Sequence, residues 1–179
     1  MSVSETPSPS SGSPFWRFSL RFYRQPEVAD ACITLQEKAG VDVNLLLFLL
    51  WHATQKRALS AAEVAELERR IAVWRNTTVI PLRTMRRALK SPPTLVAGAS
   101  AELFRTKIKA VELEAERLQQ EAMYELACPS LLGVEASSRD DAARANVAVY
   151  AAVCGAAFLQ PAIETLLAAI AGRGRKPEE

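Results

Sequence analysis

The nine residues from Val43 to Trp51 are apolar with a single exception, and no other feature constrains the fold as much. A helix over this run is apolar on every side, so it requires neighbouring elements all around it. The run is too short to cross a bilayer, because a spanning helix takes about 20 apolar residues. Asp42 stands immediately before it and is a natural N-cap. The sequence therefore predicts a buried central helix.

The composition supplies enough apolar material to surround such a helix. The chain has 179 residues, of which 49% are hydrophobic, as expected for one globular domain. It carries 22 basic and 20 acidic residues, and this even balance excludes a strongly acidic or disordered chain. Residues 1–13 are rich in Ser and Pro, and residues 173–179 are short and basic. Both ends are predicted to be disordered tails of a single helical domain over residues 14–172.

Start and stop signals divide residues 14–172 into seven or eight helices, which predicts an all-α fold in one compact, orthogonal or bundle-like domain. The expected helix starts are Ser13-Pro14, Asp42, the capping box Ser60–Glu63 and Ser138. The segment Asn76–Ile80 favours β structure, and we expect it to be an extended linker before Pro81.

One long helix is expected over about residues 100–127. Apolar residues recur along it at spacings of four and three, at Phe104, Ile108, Val111, Ala115, Leu118 and Ala122. Since only three heptads are present, an antiparallel partner within the chain is favoured over an independent coiled coil.

The stretch from Ala145 to Ala171 contains Glu164 as its only charged residue. It is rich in Ala and is divided at Gln160-Pro161, which indicates two buried helices of small residues. A membrane anchor over residues 145–171 is the less favoured alternative.

Metal and cofactor chemistry find no support in the sequence. The three cysteines form no CxxC pair, which suggests a reducing, cytoplasmic setting, and we see no secretory signal. The single histidine, His52, leaves too few ligands for a zinc site. Glycine-rich phosphate loops and hydrolase motifs do not occur, so neither a metal nor a cofactor is expected.

Several segments in order resemble domain-of-unknown-function family 2390, a group of short helical proteobacterial proteins. The resemblance spans roughly residues 14–127 and rests on residues 15–20 (FWRFSL), 42–47 (DVNLLL), 81–83 (PLR), 86–90 (RRALK) and 107–117 (KIKAVELEAER). It implies a helical fold and a bacterial cytoplasmic setting, and it transfers no catalytic residue.

A segment without acidic residues extends from Arg69 to Ala101. Its seven basic residues are Arg69, Arg70, Arg75, Arg83, Arg86, Arg87 and Lys90. The last four share one broad face of a short helix, and guanidinium groups match phosphate and carboxylate geometry. This face is a candidate binding surface for a protein partner or an anionic ligand.

The alternative is that these arginines are paired within the molecule. The second half of the long helix is acidic, and Glu112 and Glu116 are candidate structural partners. Nucleic acid is not favoured, because the segment lacks interleaved aromatic residues apart from Trp74. His52 is expected to be a partly buried polar residue, since no neighbour in the sequence supplies a carboxylate to orient it.

Three functional hypotheses follow. The first is a non-enzymatic protein-binding or adaptor module that uses the arginine-rich helix. The second is a small-ligand protein or enzyme in which Arg83 or Arg87 binds an anion and His52 or Glu112 acts as a general acid or base. The third, peripheral membrane association through residues 145–171, has the least support, and the sequence does not indicate an oligomeric state.

Overall fold

The computed structural model describes residues 12–92, 95–128 and 131–172, and these residues form an all-α fold, as predicted. The α-helices are α1 (Pro14–Tyr23), α2 (Val28–Ala39), α3 (Val43–Thr54), α4 (Ala61–Trp74), α5 (Ile80–Ala88), α6 (Gly98–Ala127), α7 (Arg139–Cys154) and α8 (Gln160–Ile170). A π-helical turn, Arg75–Val79, joins α4 to α5. The described part of the chain therefore has eight α-helices, or seven if α4 and α5 are counted as one continuous helix. Of the predicted tails over residues 1–13 and 173–179, residues 1–11 and 173–179 lie outside the described residues.

Helix ends follow the capping chemistry of the sequence. The side chains of Ser13, Asp42 and Ser138 each accept a backbone N–H of the first turn, at the starts of α1, α3 and α7. Ser60 and Glu63 form the reciprocal capping box at the start of α4. Gly40 ends α2 with a positive φ of 65°, a conformation that costs glycine little.

Helix α3 is the centre of the core. Every residue from Leu45 to Leu50 is buried, as the all-round apolar pattern predicts. Phe15 of α1 packs edge-on against Phe48, with ring centroids 5.1 Å apart. Helix α7 covers another side of α3, and α8 packs on α2 and α7. No helix among the described residues has the length and apolar content needed to cross a membrane.

The segment before Pro81 is helical, so the prediction of an extended linker over Asn76–Ile80 is wrong. Proline has no N–H to donate, and its ring clashes with the carbonyl four residues earlier in a regular α-helix. The π turn widens the helix at this point: the N–H of Ile80 donates to the carbonyl of Arg75, five residues back. The hydroxyl of Thr77 donates to the carbonyl of Val73 at 2.8 Å. The chain thus passes through Pro81 without leaving the helix.

The long helix α6 exists as predicted, but it presents a different face to the protein. Of the six residues of the heptad-like stripe, only Ala115 is buried. The buried residues are instead Ala101, Glu112, Ala115, Gln119, Gln120 and Met123. Three of these are polar, because α6 meets its neighbours largely through hydrogen bonds and ion pairs. The expectation that the stripe packs within the chain is therefore wrong.

Two short strands, β1 (Arg57–Ala58) and β2 (Val134–Glu135), pair antiparallel, with Arg57 opposite Glu135. The buried side chain of Asn146 in α7 ties this pair to the core. Its amide donates to the carbonyls of Leu49 and Arg57 at 2.9 and 3.0 Å and accepts the N–H of Leu59 at 2.7 Å.

Candidate functional site

Helix α5 lies against α6 through ion pairs. None of its residues is buried, so apolar packing alone does not hold it in place. Arg83 donates to Glu112 at 3.3 Å and to Glu116 at 2.7 Å. Arg86 donates to both carboxylate oxygens of Glu112, in one case from its Nη2 at 3.1 Å. Two guanidinium groups thus converge on one acidic side chain.

Glu112 is the most buried member of this cluster, and its side chain is only 7% exposed. Burial by itself raises the pKa of a carboxyl group, but the hydrogen bonds and charges of Arg86 and Arg83 outweigh it and lower the pKa of Glu112. The acid is therefore ionised at neutral pH, and Arg83 and Arg86 together balance the charges of Glu112 and Glu116. A buried carboxylate with two cationic partners is a structural arrangement, because removal of either partner leaves charge without compensation.

The other two candidate residues on α5 are closer to solvent. Arg87 pairs with Glu37 of α2 at 3.0 Å, and both side chains are about half exposed. Lys90 lies after the end of α5, is exposed, and has no ion-pair partner among the residues described. All six arginines of residues 69–101 pair with an acid outside that segment, at Glu37, Asp42, Glu66, Glu68, Glu112 or Glu116. The structure does not present the arginine-rich face as a set of free cations.

His52 is buried near the end of α3, packed edge-on against Phe48 and Trp51. Burial first, and the positive charge of Arg57 second, lower its pKa to about 4. Its Nε2 has no hydrogen-bond partner, and the charged groups that influence it are Arg57 and Glu63. The structure therefore does not join His52 to Arg83, Arg87 or Glu112, as an acid–base role on a bound anion would require.

The sequence predicts Asp42 only as a helix cap, but the structure places it at the centre of a buried polar cluster. One carboxylate oxygen of Asp42 caps α3, and the other accepts from Gln119 at 3.0 Å and from Arg75 at 3.3 Å. Arg75 also donates to Glu68 at 2.6 Å. The hydroxyl of Tyr150 accepts the backbone N–H of Asp42. The cluster joins α3, the π turn, α6 and α7, and its dense hydrogen bonding indicates a structural role.

The clearest exposed feature is a row of apolar side chains on α6, which we call the outward stripe: Phe104, Val111 and Leu118. They are spaced by seven residues and are 50%, 52% and 44% exposed. The heptad spacing was visible in the sequence, but the direction of the row was not. The row faces outward because the polar residues Glu112, Gln119 and Gln120 occupy the inward face of α6.

A groove of about 360 Å³ lies between α7 and α8. Its floor is apolar, with Phe158, Ile163 and Leu167, and Arg144 and Glu164 stand at its edge. Arg144 already pairs with Glu164 at 3.1 Å and with Asp140 at 3.0 Å. The groove therefore offers apolar surface and a neutralised ion pair, which gives little basis for recognising a charged ligand. The described residues also contain no group of three or more His, Cys, Asp or Glu side chains suited to hold a metal ion.

Comparison with known proteins places the chain in a family without assigning it an activity. No curated protein and no solved structure matches it. The family model described as protein of unknown function (DUF2390) matches residues 14–123, which include α1 to α5 and most of α6. This match confirms the resemblance found in the sequence, and the chain belongs to the DUF2390 family.

Proposed function

We propose that this protein is a non-enzymatic protein-binding module of the bacterial cytoplasm, and that its contact surface is the outward stripe of α6. The observation that carries the proposal is the exposure of Phe104, Val111 and Leu118 in one row on a 30-residue helix. Apolar residues in a row along a helix are a common contact surface for other helices. The three cysteines are all free, in keeping with a reducing compartment.

The distribution of exposed apolar residues supports this choice of surface. Seventeen large apolar side chains are exposed in the described ranges, and twelve of them lie between Val73 and Leu126. This part of the chain contains α5, α6 and their connection. This concentration is one of sequence position, since Val111 and Leu113 lie on different sides of α6, and it favours this part of the chain as the interaction region.

The ion pairs of α5 weigh against the anionic-ligand alternative. A phosphate or carboxylate bound by Arg83 and Arg86 would have to displace Glu112, a buried acid that would then lack its partners. We therefore infer that Arg83 and Arg86 hold α5 against α6, the helix that carries the proposed contact surface. Lys90 is exposed and Arg87 is half exposed, so these two residues remain candidates for contact with a partner.

Site-specific photocrosslinking in cells tests the proposed surface. A photoreactive phenylalanine analogue would replace Val111 in one variant and Leu113 in another. Both side chains are 52% exposed, but they point to different sides of α6, so the second variant is a matched control. We expect crosslinked species of defined mass from position 111, lost on Phe104→Asp, and far fewer from position 113.

Equal crosslinking at the two positions, or none at either, would contradict the proposed surface. Mass spectrometry of the adducts would identify the partner chain, including a second copy of the protein.

A further inference from the structure

We propose that the outward stripe of α6 binds the same stripe of a second copy of this chain, with the two α6 helices antiparallel. This inference rests on the proposed function, since it specifies the partner of that surface. Three apolar residues at heptad spacing on an exposed helix are the pattern that two helices use when they pack side by side. The three side chains of the stripe remain 44–52% exposed in the described structure.

Charges beside the stripe indicate the direction of the second helix. Lys107, Glu114 and Glu121 follow one another at spacings of seven, so they lie along one side of α6 next to the stripe, and Glu125 continues the row of the stripe seven residues after Leu118. The first is positive and the last two are negative. A parallel pair would place each of these charges next to its own copy, and like charges repel.

An antiparallel pair brings opposite charges together. Lys107 of one copy then faces Glu125 and Glu121 of the other, of which Glu121 also accepts the N–H of Ser13 in its own chain, and the same contact is repeated across the two-fold axis. Glu114 lies near the axis, close to its own copy. It already pairs with Arg117 at 2.6 Å in its own helix, which reduces the repulsion.

The same arrangement matches large residues to small ones. In antiparallel heptad packing, the register that pairs Lys107 with Glu121 sets Phe104 of one helix opposite Ala122 of the other. Ala122 is exposed and leaves room for the ring. In this register the axis passes near residue 113, so Val111 lies beside it, and Leu118 is level with the half-buried Ile108 of the other helix.

The contact is small, because each copy contributes only three large apolar side chains. We therefore expect a reversible dimer with a dissociation constant of about 10–100 µM.

Sedimentation velocity of the full chain over a range of concentrations tests the proposal. The expected result is a rise in the weight-average sedimentation coefficient towards the value of a dimer. Val111→Asp should raise the dissociation constant by about ten-fold or more, because it places a charge in the apolar contact. Leu113→Asp should leave it within about two-fold, since that residue lies on another side of α6. Circular dichroism would verify that both variants keep their helix content.

Charge reversal tests the antiparallel direction. Lys107→Glu should weaken the dimer, and the double variant Lys107→Glu/Glu125→Lys should restore much of its strength. Lys109→Glu, the same change two residues away on a different side of the helix, is the control and should have little effect. A parallel dimer would instead be unaffected by Lys107→Glu, because one like-charged pair would replace another, and this result would overturn the proposed direction.

A chain that stays monomeric at every concentration would overturn the proposal, and so would equal effects of Val111→Asp and Leu113→Asp. If such a monomer still gave crosslinks to a different protein from position 111, the proposed function would stand without this partner. If position 111 gave no crosslinks either, both would fail.

Discussion

Arg86 of α5 donates to both carboxylate oxygens of Glu112, a side chain of α6 that is almost completely buried. Arg83 contacts the same carboxylate and extends the cluster to Glu116. These contacts hold a helix that has no buried residues of its own against the longest helix of the protein. The arginines of the acid-free segment thus pair with acids of the same chain, and the exposed apolar side of α6 becomes the better candidate for binding a partner.

Arg75→Met is expected to destabilise the fold by roughly 2–3 kcal/mol, because it removes a cationic partner from the buried carboxylate of Asp42. Urea denaturation followed by circular dichroism measures the change. Arg69→Met is the matched control: its exposed pair with Glu66 should contribute less than about 0.5 kcal/mol. Similar losses in the two variants would argue against a structural role of the Asp42 cluster.

Asn146→Leu is expected to cost about 2–4 kcal/mol of unfolding free energy, because the N–H of Leu59 and the carbonyls of Leu49 and Arg57 lose a buried partner of similar size. Asn76→Ala, in the exposed part of the π turn, should change stability little. Thermal unfolding of the two variants compares them directly, and a stable Asn146→Leu protein would show that this tie between α7 and β1 is dispensable.

His52 should make the stability of the protein depend on pH between about 4 and 6.5. Its pKa in the fold, about 4, is lower than the value of about 6.5 in an unfolded chain. The unfolded chain therefore binds a proton first as the pH falls. This contribution to stability is complete above pH 6.5, is lost progressively down to pH 4, and amounts to roughly 3 kcal/mol.

Because His52 is the only histidine, its titration can be followed by NMR without assignment of other imidazoles. The expected midpoint is near pH 4. His52→Phe should remove the slope of stability between pH 6.5 and pH 5, where few other side chains titrate. A midpoint near 6.5 would mean that the imidazole is accessible to solvent, contrary to its packing against Phe48 and Trp51.

The sequence predicts the features that depend on neighbouring residues. The caps at Ser13, Asp42, Ser60 and Ser138 were foreseeable because each side chain bonds within its own first turn. The burial of α3 was foreseeable because its apolar pattern leaves no polar side.

Other features depend on residues that are far apart in the chain. The inward face of α6 is polar because Gln119 meets Asp42 and Gln120 meets Asn44 at 2.8 Å, across 76 residues in the second case. These pairings cannot be inferred from the sequence of α6 alone, where the heptad spacing of Phe104, Val111 and Leu118 predicts the wrong inward face. The π turn was missed for a different reason: β-branched residues before Pro81 favour extended structure locally, while the flanking helices keep the segment helical.

A double-mutant cycle on Arg86 and Glu112 tests most directly whether the arginines of α5 act within the fold. The unfolding free energies of the wild type, Arg86→Met, Glu112→Gln and the double variant give the coupling between the two side chains. The exposed pair Arg105 and Glu102, within α6, provides the control cycle and should couple by less than about 0.5 kcal/mol. We predict a coupling of about 1–3 kcal/mol for Arg86 and Glu112, and a value near zero would contradict this account.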